Sequence, residues 1–345
     1  MPEEGLSLDA ISVLTVWTAV AIYTLAFVAY AIDLARRSDQ SIKAKDAALE
    51  RELVAVGGSP IDAVRAEEAL AADAISASPK ERPRFVWARI GTSLTVLGFL
   101  FHLAGTVLRG IAAERVPWSN MYEFALTGML LVVAVYLVTL FRYDLRFLGA
   151  FITGLTVVLL GGATLAFYVE VVPLADPLKS IWLVIHVFVA TLSSALFALA
   201  FGLSVMQLLQ ARRERLAVAA SATASDGGVV KTGPGFLRTL PSADALESLA
   251  YRFAIIGFIF WTFTLIAGSI WANDAWGRYW GFDTKEVWTF VIWVLYAGYI
   301  HARATRGWRG ARSAWLSIIG FSAVLFNFII VNQFFKGLHV YSGLS

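Results

Sequence analysis

Eight long apolar runs, at about residues 11–32, 87–108, 119–141, 147–169, 181–209, 252–271, 286–305 and 313–335, set the terms for any fold this chain can adopt. Each approaches or exceeds the ~20 residues that cross a hydrocarbon core as a helix. Barrel strands would read as short alternating segments, and no such pattern occurs here. The expectation is an all-α, polytopic membrane bundle of about eight transmembrane helices. Composition agrees: 58% of the 345 residues are hydrophobic and only 15% are charged, too little charge to cover a soluble domain. The first run is too long for a signal peptide and lacks a basic n-region and a small-residue cleavage site. It is expected to stay as a first transmembrane helix, residues 1–34.

Positive charge orients the bundle. The loops after runs 1, 3, 5 and 7 hold most of the basic residues, from Arg36 through Arg84, Arg142 and Arg146, Arg212 through Arg238, and Arg303 through Arg312. The opposite side has only Arg109, Arg115, Lys179, Arg278, Lys285 and Lys336. Basic loops stay on the cytoplasmic side, so both termini are expected on the outer side. Residues 35–85 read as a cytoplasmic linker, and 86–345 as the main transmembrane domain. Within it, 216–248, with its SATASDGGVVKTGPG stretch, reads as a flexible cytoplasmic linker.

The net charge of +3 sits beside the apolar runs, where topology places it, and implies no nucleic-acid partner. There is no cysteine, so thiolate ligands, disulfides and thioether-linked cofactors are excluded. Any metal ligand is His, Met, Tyr or a carboxylate.

The outer segment 272–285 and its flanks carry the chemistry. Trp271, Trp276, Tyr279, Trp280 and Trp288 crowd into 18 residues, with Gly277 and Gly281 each directly after a Trp. An interfacial aromatic belt is one reading. The other is a platform: flat indole faces, small residues and a few polar anchors suit a planar, largely apolar ligand with charged edges. Haem, with two propionates for Arg or Lys, fits that description.

Trp276–Trp288 reads WGRYWGFDTKEVW, and Pro117–Phe124 reads PWSNMYEF. The first resembles the tryptophan-rich WWD signature of the haem-handling protein family, in the form found in its CcsA/ResC branch of cytochrome c biogenesis (system II). It departs at Phe282, where the pattern has Trp, and at Thr284, where Pro is common. The second resembles the family's P-x-S-N-x-Y-E segment, in which Ser119 or Asn120 also suits a helix N-cap. With the terminal GLHVYSG, the resemblance covers about residues 86–345.

The chain has four histidines, His102, His186, His301 and His339. Ionisable groups in a bilayer mark functional sites by default. The run 181–209 makes ~43 Å of helix, longer than a ~30 Å core, so its first turns protrude and carry His186 to the outer interface. His339 follows the last run on the same side. These two are the expected axial pair of an outer haem, and the resemblance implies the same. The resemblance also implies that His102 and His301 form a second pair inside the membrane, and that Trp276, Gly277, Trp280, Asp283 and Trp288 belong to the haem-binding segment. The implied activity is movement and presentation of haem b for attachment to apocytochrome c, as part of a synthase complex. The implied partners are a CcsB/ResB-type subunit and thioredoxin-like thiol-reducing proteins. The implied location is a bacterial plasma membrane, with thylakoid as the second reading. A transmembrane b-type cytochrome is the rival function, though it has no need of an outer Trp-Gly loop. A solute transporter would show inverted repeats, which are not seen.

Overall fold

The computed structural model describes residues 6–57, 85–174, 176–222, 234–305, 307–335 and 337–338. Helix α1 spans Leu8–Gly57, α2 Val86–Ala113 and α3 Met121–Leu140. Helix α4 (Gly149–Thr156) passes through a π-helical turn (Val157–Gly161) into α5 (Gly162–Ala166). Then come α6 (Ile181–Ala222), α7 (Ala243–Trp276), α8 (Thr284–Thr305) and α9 (Ala311–Phe326). A second π-helical turn, Asn327–Val331, leads into the short α10, Asn332–Phe334.

Among the described residues, seven helical stretches are long and apolar enough to cross a membrane: Leu8–Asp39, Val86–Ala113, Met121–Leu140, Arg146–Ala166, Ile181–Ala219, Ala243–Trp276 and Ala311–Phe334. The eighth expected crossing, α8, has the length, at 22 residues, but Lys285, Glu286, His301 and Arg303 dilute its apolarity. It nevertheless runs between the two ends of the bundle and is held there by polar indole contacts. Trp261 Nε1 donates to the Thr289 carbonyl at 3.0 Å, and Trp293 Nε1 to Thr262 Oγ1 at 3.0 Å.

Helix α1 continues beyond the expected first span into the 35–85 connector, as far as Gly57. The expected linker 216–248 is shorter at both ends, because α6 continues to Ala222 and a 3-10 turn, Gly235–Thr239, packs back on α1. There Gly235 N–H donates to Ser38 Oγ at 3.0 Å. The remainder of both linkers, 58–84 and 223–233, lies outside the described residues.

Helices α1 and α2 meet along a glycine stripe. Gly91, Gly98 and Gly105 recur every seven residues and face Tyr30, Tyr23 and Val16, where an added Cβ would come within 2.9, 2.9 and 2.7 Å. Lipid tails are as apolar as the side chains, so close backbone approach rather than hydrophobic burial drives such pairs.

Each end of the bundle is closed by one buried glutamate. At the end carrying the 277–283 loop, Glu123 (0% exposed) receives Arg109 Nε at 3.0 Å, Arg115 Nη1 at 2.6 Å and the Ser119 N–H and Oγ at 2.9 Å each. Arg109, itself fully buried, also reaches Asp9 Oδ1 at 2.6 Å and the Val169 carbonyl at 2.9 Å. At the far end Glu247 accepts from Gln207, Arg303 and the Gly310 N–H, joining α6, α7 and α8 to the start of α9. The sidedness predicted from charge is checked by reporter fusions. Fusions within 142–146, 211–216 and 307–312 should report the cytoplasmic side, and a fusion at Arg278 the outer side. A cytoplasmic signal at Arg278 would invert the topology.

Candidate haem site

His186 lies in the second turn of α6, ~7 Å along the helix from Ile181. Its Nδ1 meets the Thr264 carbonyl of α7 at 3.0 Å. A carbonyl only accepts, so Nδ1 carries the proton and Nε2 keeps the lone pair that a metal ion needs. The ring stacks on Trp271, with centroids 5.9 Å apart and planes 20° apart. Trp271 is 2% exposed and is backed by Trp276, edge-on at 4.9 Å. Gly268 makes this possible: a Cβ there would stand 2.7 Å from His186 Cε1 and Nδ1. Gly268→Ala should therefore push the imidazole off the Thr264 carbonyl and lower haem retention roughly 10–100-fold, the usual cost of losing an outer-shell partner. Equal retention in a haem titration of the two proteins would remove Gly268 from the argument.

Trp276 ends α7, and Gly277 caps it with φ +68°, its N–H on the Asn273 carbonyl at 2.9 Å. Gly277 is thus a helix stop rather than a ligand approach. Gly281 likewise leaves room for the Arg278 guanidinium, which bends back over it. The loop is stapled by Glu286, whose Oε2 accepts from the Gly281 N–H at 2.8 Å and the Asp283 N–H at 3.1 Å. Asp283 and Glu286 form a capping box at the start of α8, a signal present in the sequence as Asp-x-x-Glu.

Asp283 does not face the cavity. Its Oδ1 accepts the Leu338 N–H at 3.0 Å, which ties the C-terminal segment to the loop one residue before His339. His339 itself lies outside the described residues. Trp280 does face the site. With Tyr279, Trp271, Gly268, Glu286 and His186 it lines a cavity of about 70 Å³. Trp288 points elsewhere and packs on Phe326 of α9, with centroids 4.4 Å apart.

Lys285 stands at the centre. It lines the same cavity, and its Nζ donates to Asn332 Oδ1, while Asn332 Nδ2 reaches Met121 Sδ at 3.1 Å. Of the basic residues at this end of the bundle, Arg109 and Arg115 are committed to carboxylates. Among the described residues, Lys285 lines the cavity together with His186.

The membrane pair is not brought together. His102 is fully buried; its Nε2 donates to the Leu126 carbonyl at 2.8 Å, and its Nδ1 faces the Tyr23 hydroxyl at 3.4 Å. Both ring nitrogens are thus engaged by α1 and α3. His301 is exposed near the far end of α8, ~25 Å along that helix from Thr284. His102 is ~16 Å from the Ala113 end of α2.

Comparison with known proteins identifies the fold and the family. The family model described as "Cytochrome C assembly protein" matches residues 118–339. The chain is 35% identical over 249 residues to the "Cytochrome c biogenesis protein CcsA" of Prochlorococcus marinus, covering 68% of this chain and 78% of that protein. It is 33% identical over 265 residues to the protein of the same name from Guillardia theta, covering 74% and 86% respectively. The solved structure titled "Cytochrome c Heme Lyase CcmF" shares the fold, with TM-score 0.57 and 16% identity over 95% of this chain, which spans about half (48%) of that one. The chain is a multi-pass membrane protein that belongs to the cytochrome c assembly family, as a CcsA-type protein of cytochrome c maturation.

Proposed function

We propose that this protein receives haem b and presents it at the loop end of the bundle for attachment to apocytochrome c. The observation that supports this best is His186: its Nδ1–H held by the Thr264 carbonyl, its ring stacked on Trp271, and its side chain lining the same cavity as Trp280. The site suits haem chemically, because apolar walls receive the macrocycle, imidazole suits the iron, and Lys285 suits a propionate.

In this reading His186 supplies one axial imidazole. His339 would supply the other. Trp280 covers one face and excludes water, and Glu286 holds the loop closed above it. When bound, the haem offers two vinyl groups to which the two apocytochrome thiols add. The chain has no cysteine, so those thiols, and the proteins that keep them reduced, come from partners. We assign those roles to a thioredoxin-like reductant and a CcsB/ResB-type subunit, in a bacterial plasma membrane. His102 and His301 as a transit pair would require His102 to surrender both hydrogen bonds.

The absorption spectrum of purified protein, wild type against His186→Ala, tests this. The expected result is an exchangeable six-coordinate haem in the first and loss of that spectrum in the second. A haem that cycles redox state but never exchanges would favour the b-type cytochrome instead.

A further inference from the structure

Between the α2–α3 connection and the start of α6, at the loop end of the bundle, lies a cavity of about 210 Å³, against about 70 Å³ under Trp280. Its wall combines apolar side chains, Leu174, Leu178, Leu183 and Val184, with the polar edges of Arg115 and Trp118. His186 does not line it.

Two buried donors in this wall make no hydrogen bond, Arg115 Nε and Trp118 Nε1. Neither is free to turn away. Arg115 Nη1 and Nη2 are forked on the two Glu123 oxygens at 2.6 and 3.2 Å, which fixes the guanidinium plane. The Trp118 ring packs against the cluster of Leu178, Leu183, Val187 and Trp271. The nearby hydroxyls are engaged elsewhere: Ser119 Oγ donates to Glu123 and Ser180 Oγ to Asp274, at 2.9 Å each. A buried donor without an acceptor is unfavourable, so two in one wall call for a ligand that brings oxygens and no protons.

The surroundings suit a lipid headgroup. Trp118 and Trp182 stand here, and indoles collect at headgroup level in membrane proteins. Ile181 is 65% exposed and Phe188 45%. Seven residues apart on α6, they share one face and lead from the cavity toward the membrane interior, ~10 Å along the helix.

We propose that this cavity seats the phosphodiester of a phospholipid from the leaflet at the loop end. Arg115 Nε and Trp118 Nε1 donate to its two free oxygens, and an acyl chain lies along Ile181 and Phe188. The headgroup bridges the α2–α3 connection to the first turn of α6. Leu178 and Leu183 line this cavity and also a smaller one bordered by His186, so an occupied headgroup seat stiffens the packing beside that imidazole. The lipid seat stands whether or not His186 ligates iron.

Full-length protein, purified in detergent and stripped of lipid, is titrated separately with dioleoylphosphatidylglycerol, dioleoylglycerol and inorganic phosphate. Native mass spectrometry counts retained lipid, and melting temperature is followed in parallel. Phosphatidylglycerol should be retained as a single molecule and raise the melting temperature, while the diglyceride and phosphate should do neither. Trp118→Phe keeps a ring and loses the N–H, and should weaken retention about tenfold. Val184→Trp fills the cavity from α6 and should abolish retention. Both variants should melt with the lipid-free wild type, and Val294→Trp, exposed on α8, should retain lipid as the wild type does. Undiminished retention in Trp118→Phe and Val184→Trp would overturn the proposal. So would equal stabilisation by phosphate, which would make this a site for a free oxyanion, and so would displacement of the lipid by stoichiometric hemin, which would give the cavity to haem.

Discussion

His186→Gly should abolish cytochrome c maturation in cells, His339→Gly should do the same, and added imidazole should restore part of it in both. The expectation follows from what each side chain contributes. His186 is oriented before any ligand arrives: the Thr264 carbonyl fixes its tautomer, Trp271 its plane, and Gly268 the distance between α6 and α7. Removing the imidazole leaves a socket of the right shape with no nitrogen in it, which free imidazole can fill. A haem held here would lose one of its two imidazoles, leaving the iron open to water and dioxygen, so maturation would fail even where some haem is still bound. Trp280→Ala provides the contrast. It removes a face of the cavity rather than a ligand, so haem retention falls and imidazole gives no rescue. Normal maturation in both glycine variants would remove the axial assignment.

The apolar runs made the helices legible, because a backbone in lipid has to satisfy its own hydrogen bonds and a helix is the way one segment does so. Where helices end was harder to read. Helix α1 continues to Gly57 through a segment whose charges look like a connector, since a helix leaving the membrane needs no apolar face to persist. The two π-helical turns have no sequence mark at all. At the site, Trp280 and His186 were readable from residue type and position. Gly277 was readable as a glycine but not as a helix stop, and the Asp283–Glu286 box was present but overshadowed by the tryptophans. The commitment of Arg109 to carboxylates had no mark in the sequence. Its partner Asp9 lies 100 residues away in the chain, and no local pattern announces a pair that only the packing of α1 on α2 creates. Gly268 and Thr264 were invisible for the same reason: their role exists only once α7 lies against His186.

Glu123→Ala should cost about 3–5 kcal/mol of stability, the range for breaking a buried ion pair by removing one partner. The carboxylate has no exposed surface and binds two guanidiniums, a backbone N–H and a hydroxyl. Its removal strands Arg109, which is equally buried. Asp9 remains as a partner for Arg109 but lies 18% exposed on the rim, so Asp9→Ala should cost less, about 1–3 kcal/mol. That ordering separates a buried hub from a surface pair, for which both variants would be close to neutral. The loss also reaches the site. Glu123 N–H is capped by Asn120 Oδ1 at 2.9 Å, and Met121, the first residue of α3, is the neighbour of Asn332, which holds Lys285. Haem affinity should therefore fall in Glu123→Ala even at temperatures where the protein remains folded. Thermal unfolding in detergent and a hemin titration below the transition measure the two effects separately. A melting temperature equal to that of the wild type would show that Arg109 finds other partners, and that the segment from Pro117 to Phe124 does not lock this end of the bundle.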